Sequence, residues 1–151
     1  MFKYEEYYMK KELSHFIKKL WTLDNLANPS TVPGKAILPN GCFNIAIIEG
    51  KGLFVRHKTW EKHFDPGVYF CGQATEAVTI DIFPHTKATM VQLYAWTPVH
   101  FDLSDMSGLT NSIVPVYQLG LHALTDLNHL PGLDNTQIYR HIIAAFRICF
   151  K

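Results

Sequence analysis

The sequence is poor in charge, in cysteine and in long apolar runs, and each shortage excludes something. Only 18% of its 151 residues are charged, and 14 basic against 13 acidic residues leave a net charge of +1. That balance excludes the strongly basic face by which nucleic-acid-binding domains are usually recognised. No apolar run approaches the roughly 20 residues of a membrane helix. The start, Met1-Phe2-Lys3-Tyr4-Glu5-Glu6, has no apolar signal-peptide core. The expectation is a cytoplasmic protein with no membrane partner. The three cysteines, Cys42, Cys71 and Cys149, are odd in number, far apart and without a C-x-x-C pair. This excludes a disulfide framework or a structural zinc site. Cys42 and Cys71 sit in apolar stretches and read as small core hydrophobes.

Catalytic vocabulary is equally scarce. The nucleophile elbow G-x-S-x-G, the dinucleotide fingerprint G-x-G-x-x-G, the phosphate loop and H-E-x-x-H are all missing. Among eight histidines there is no H-x-H, the spacing that aims two ligands inward from one strand of a β-barrel metalloenzyme. His57 and His63 lie close, with Trp60 between them, but Glu61 and Lys62 mark the segment as exposed, so both read as surface histidines. Asp81 falls on the polar face of a strand. Glu76, Asp102 and Asp105 fall at strand ends and turns, where acids commonly cap. The expectation is no catalytic residue, no metal ligand, no cofactor and no enzyme.

What the chain has is apolar and aromatic. It is 48% hydrophobic and 13% Phe, Tyr or Trp. A length of this order makes about one domain, able to bury roughly 68–70% of its unfolded surface. Leu13, Phe16, Ile17, Leu20 and Trp21 recur at helical spacing, with Lys10, Lys11, Lys18 and Lys19 on the wet side, which predicts an N-terminal amphipathic helix. Asp24 to Gly34, with Asn-Pro-Ser and Pro-Gly, predicts a loop. From Lys35 to Trp96 short strands alternate with turns: Ala36–Leu38, Cys42–Ile48, Leu53–Arg56, Val68–Cys71, Val78–Ile82 and Met90–Trp96. Ile45, Ile47, Val55, Phe70, Val91 and Leu93 are their candidate core. Phe101 to Asn111 reads as a helical turn and loop, and Leu121 to Leu130 as a helix broken by Pro131-Gly132. Ile138, Ile142, Phe146, Cys149 and Phe150 mark a final helix, capped by Asp134 or Asn135. The expected fold is α+β, mainly β: an open barrel or sandwich with helices at both ends.

Five segments, in order, carry a resemblance. Leu13, Phe16, Ile17 and Trp21 are followed by Ile37-Leu38-Pro39-Asn40-Gly41-Cys42-Phe43-Asn44-Ile45. Then come Phe70, Gly72 and Gln73, then Val91 through Trp96 with Pro98, and last Leu109-Thr110-Asn111, Ile113, Val116 and Leu119. Over residues 10 to 121 the chain resembles the N-terminal regulatory domains of AraC/XylS-type transcriptional regulators. Where that family often has glycine after the strand-end proline, this chain has Val99-His100-Phe101. The resemblance implies a cupin-like fold, and residues 1–151 as one regulatory domain that senses a small-molecule effector and forms a homodimer. It implies DNA binding only through a helix-turn-helix domain absent from this chain.

Within that reading the aromatics supply the candidate site. Trp21, Trp60, Tyr94 and Trp96 are the expected ligand-binding residues, Tyr94 and Trp96 being two apart and so on one face of a regular strand. The alternative is a protein-interaction domain with no small-molecule ligand, its aromatics filling the core. A cupin-like enzyme is the third reading, and bound metal with three side-chain ligands would mark it.

Overall fold

Ten strands occur among the residues described by the computed structural model, which are 2–9, 14–98, 107–125, 127 and 134–149. In chain order they are β1 (Lys3–Tyr8), β2 (Ile17–Asn25), β3 (Val32–Ile37), β4 (Phe43–Glu49), β5 (Leu53–Arg56), β6 (Glu61–Phe64), β7 (Gly67–Cys71), β8 (Val78–Ile82), β9 (Thr86–Leu93) and β10 (Ile113–Pro115). They form two antiparallel sheets that share no ladder. The larger runs β1-β2-β9-β4-β7-β10 and the smaller β3-β8-β5-β6. The fold is mainly β, and its sheets do not close into one barrel.

The expected N-terminal helix is corrected by β2. Its apolar residues keep helical spacing because of a bulge. Ile17 pairs with Leu93 and Leu20 with Val91, and the register slips between Ile17 and Lys19. Lys18 is therefore the extra residue, and the bulge returns Ile17 and Leu20 to the same face although they are three apart. Trp21 and Leu23 are buried on the opposite face. A strand buried on both sides shows no alternation, and the bulge supplies a false helical period. The expected loop from Asp24 is corrected too, since β2 runs to Asn25 and β3 starts at Val32.

The large sheet has a core on each face. On one side Ile45, Ile47, Phe70, Val91 and Leu93 pack with Ile138, Ile142 and Phe146. The last three lie on a helix, Asn135–Cys149, which begins with a reciprocal cap. Asp134 Oδ1 accepts from the Gln137 N–H at 2.9 Å, and Gln137 Oε1 accepts from the Asp134 N–H at 3.0 Å. On the other side Trp21, Leu23, Ile48 and Ala88 face Leu53, Val55, Phe64, Ile80 and Ile82 of the small sheet. All six candidate core residues are buried. Helices thus form a layer on one face of the large sheet instead of flanking both ends.

A four-residue helix, His122–Thr125, is what the structure describes of the expected helix over Leu121 to Leu130. A 3-10 turn, Ser107–Leu109, stands within the expected Phe101 to Asn111 segment. Leu13, Val99-His100-Phe101, Asp102, Asp105, Pro131-Gly132 and Phe150 lie outside the described residues.

The two ends of the inter-sheet space differ. At one end Asn25, fully buried, clasps the sheets together. Its Nδ2 donates to the carbonyls of Ser30, Ile82 and Phe83, while its Oδ1 accepts from Asn28 Nδ2 at 2.8 Å. Thr86 Oγ1 there accepts the N–H groups of Lys51 and Gly52, both at 3.1 Å. That end is sealed, and the opposite end holds a cavity.

Candidate functional site

At that opposite end the sheets are wedged apart by side chains that meet without filling the space. The large sheet contributes Trp21, Asn44, Cys71, Met90 and Ile113; the small sheet contributes Ile37, Val55, Val78 and Ile80. His57 and Trp60, in the β5–β6 connection, complete one wall, and Leu38-Pro39-Asn40 another. About 100 Å³ is open to the centre of a water-sized sphere, where about 10–15 Å³ suffices for one water. The space suits a small molecule. No Asp, Glu, Lys or Arg belongs to the lining.

Both indoles are fixed by their own N–H groups. Trp21 Nε1 donates to Asn44 Oδ1 at 3.3 Å, and Trp60 Nε1 donates to the Asn111 carbonyl at 3.0 Å. Each ring is therefore held in orientation and offers the cavity carbon rather than a donor. The His57 imidazole stacks on Trp60 with centroids 5.4 Å apart and planes 12° from parallel. The Thr59 N–H donates to His57 Nδ1 at 3.2 Å, and His57 Nε2 is buried with no hydrogen-bond partner. A buried polar atom left unpaired in this way costs about 1–3 kcal/mol relative to a paired one. His57 is the one lining residue with such an atom among the described residues.

The rim is built from segments far apart in sequence. Gln73 Nε2 donates to the Gly41 carbonyl at 2.8 Å, tying the turn before β4 to the end of β7. Asn111, in the left-handed region at φ 57°, donates its N–H to the Gln73 carbonyl and exchanges two side-chain bonds with Thr75. Asparagine tolerates that conformation better than other residues with a Cβ. Gly72 donates to the Ser112 carbonyl at 2.9 Å. A Cβ on Gly72 would stand 1.8 Å from the Leu109 carbonyl oxygen, so only glycine permits this approach. Of the segments singled out in the sequence, three reach this rim, through Leu38-Pro39-Asn40, Gly72-Gln73 and Asn111.

Of the four expected ligand residues, the structure brings Trp21 and Trp60 into the cavity. Tyr94 and Trp96 are elsewhere. Strand β9 ends at Leu93, so these two do not share a strand face; a turn closed by the Thr97 N–H to the Tyr94 carbonyl stacks them on each other, 4.6 Å apart and 5° from parallel. Trp96 is 56% exposed, with Nε1 donating to the His15 carbonyl at 2.7 Å. The Trp96 bond ties this turn to the entry of β2. His57, read as a surface histidine, is half-buried in the cavity wall, whereas His63 is exposed beside Asp65.

Burial pushes the Cys71 thiol up to about 12. Among the described residues the carboxylates lie outside the cavity lining. Asp81 faces out, 2.7 Å from Arg56 Nη2, and that guanidinium together with the Gly34 N–H holds its carboxyl below the usual range. Glu76 lies 4.0 Å from Lys58. Among the described residues no three His, Cys, Asp or Glu side chains are grouped to hold a metal. No described helix is long and apolar enough to cross a membrane.

A protein-family model described as a domain of unknown function, DUF6597, matches residues 5–115. The match takes in all the strands, β1 in part, and every residue of the cavity lining, and stops before the C-terminal helices. No curated protein matches the chain.

Proposed function

Because the chain belongs to DUF6597, a family defined without a function, we propose a reading from the site: a ligand-sensing and dimerising regulatory domain of an AraC-type transcriptional regulator. The observation that carries this reading is the uncharged cavity between the sheets, held open by two indoles whose N–H groups are engaged by the protein. A pocket of this composition, largely apolar with few polar groups, is the usual form of a small-molecule site. Convergence of three of the five resemblance-bearing segments on its rim adds support. In this reading the two facing sheets are a cupin-like open barrel, and the chain is cytoplasmic and not an enzyme. A small-molecule effector shifts its population between two states through contacts that differ between them. DNA is reached through a separate helix-turn-helix domain, and the active form is a homodimer.

The test is a fusion. Residues 1–151 placed ahead of the DNA-binding domain of an AraC-type regulator should sediment as a dimer and make transcription respond to a compound that raises the melting temperature. At a hundred times its Kd such a compound adds about 2.7 kcal/mol, or roughly 5–10 °C for a chain of this size. A monomeric fusion whose transcription ignores every stabilising compound would overturn the reading.

A further inference from the structure

Resting on the sensing role proposed above, we infer that the cavity selects an uncharged, ring-bearing molecule with one hydrogen-bond acceptor, and that His57 Nε2–H is the donor that reads it. Three observations converge. The lining holds no charged side chain, so a carboxylate or ammonium entering it would lose hydration without gaining a counter-ion. Both indole N–H groups are already spent, on Asn44 and on Asn111, so Trp21 and Trp60 present apolar ring surface to whatever enters. Among the described lining residues, His57 is the one with a buried side-chain nitrogen that has no partner.

Its tautomer follows from the turn that carries it. A backbone N–H can only donate, so the bond from Thr59 makes Nδ1 the acceptor and leaves the proton of the neutral ring on Nε2. A ligand carbonyl or ether oxygen answers that proton; a second donor does not. In this conformation no water reaches Nε2. The bond to a ligand therefore forms as the imidazole tilts with the turn 57–60, whose Lys58 and Thr59 are exposed. Trp60, stacked on the ring, shares that movement, and its fluorescence reports it.

Three probes separate the elements of this proposal: acetophenone (a neutral ring with a carbonyl), toluene (the ring alone) and benzoate (the ring with a charge). Tryptophan fluorescence of the wild-type chain should saturate with acetophenone at a Kd about three- to tenfold below that for toluene, and should not saturate with benzoate. In His57→Phe the advantage of acetophenone over toluene should disappear. Equal affinity for acetophenone and toluene in both proteins overturns the role of His57 and leaves the sensing reading standing. Tightest binding of benzoate overturns the neutral class, and saturation by none of the three overturns the sensing cavity itself. Should His57→Phe not fold, nitrogen-15 NMR of wild type labelled at histidine decides the same point. The proposal requires a protonated Nε2 and a bare Nδ1 on His57, with the Nε2 proton shifting as acetophenone is added. A proton on Nδ1, or an unmoved Nε2 proton, overturns it.

Discussion

Phe70→Ala is expected to destabilise the protein by about 3–5 kcal/mol, the usual cost of emptying a large aromatic site in a core. Phe70 is wholly buried in β7 between β4 and β10, opposite Ile45 and Val114. Its ring lies 5.6 Å from that of Phe43, and both belong to the core that joins the large sheet to the helical layer. Those neighbours are in ladders and cannot collapse into the void, which places the loss in the upper part of the range. The denaturant midpoint should fall with little change in slope. Phe54→Ala is the control. Phe54 lies under the Arg56 guanidinium rather than in either core, so its loss should cost about 1 kcal/mol or less. Equal midpoints for the two variants would remove Phe70 from the core.

Gly72→Ala should also be severe, for the opposite reason. The added methyl meets the Leu109 carbonyl oxygen at 1.8 Å and its carbon at 2.6 Å, and both are backbone atoms with nowhere to go. Relief requires moving residues 109–115 away from β7, breaking the bond from Gly72 to Ser112 and straining the β7–β10 pairing. The cost should be about 3 kcal/mol, at the upper end for overpacking. The same displacement withdraws the Asn111 carbonyl from Trp60 Nε1. The variant should therefore show a red-shifted tryptophan emission already below its unfolding transition. A wild-type midpoint and spectrum would mean that this strap does not hold the rim.

How legible this was varied with the physics of each segment. Strands β4, β5, β7 and β8 carry β-branched and aromatic residues between glycine and proline turns, and local pattern suffices for such segments. Strand β2 was hidden by its bulge and by burial on both faces. Strand β6 is an edge strand whose Glu61, Lys62 and His63 are exposed, so its charged residues read as loop. Strand β1, Lys-Tyr-Glu-Glu-Tyr-Tyr, is likewise an edge. Charge is how edge strands avoid further pairing, and it also removes their hydrophobic signature. In the site, Trp21 and Trp60 were legible as aromatic candidates, whereas Tyr94 and Trp96 were misplaced because a strand expected to reach Trp96 stops at Leu93. His57 could have been found only in part from sequence. The short-range bond from Thr59 is local, but the cavity beside it depends on β3, β7 and the 109–113 segment coming together.

Entry of a small molecule into the space between the sheets is most directly reported by Met90. Its side chain lies in the cavity wall, on the strand paired with β2, directly opposite Trp21. Met9 packs instead against the core on the helical side of the large sheet. The measurement is the carbon-13 methyl spectrum of methionine-labelled protein during titration with acetophenone. The expected result is a saturable ring-current shift of the Met90 methyl with the Met9 methyl unmoved. A Met90 resonance that stays fixed throughout the titration, or a shift at Met9 in its place, would contradict it.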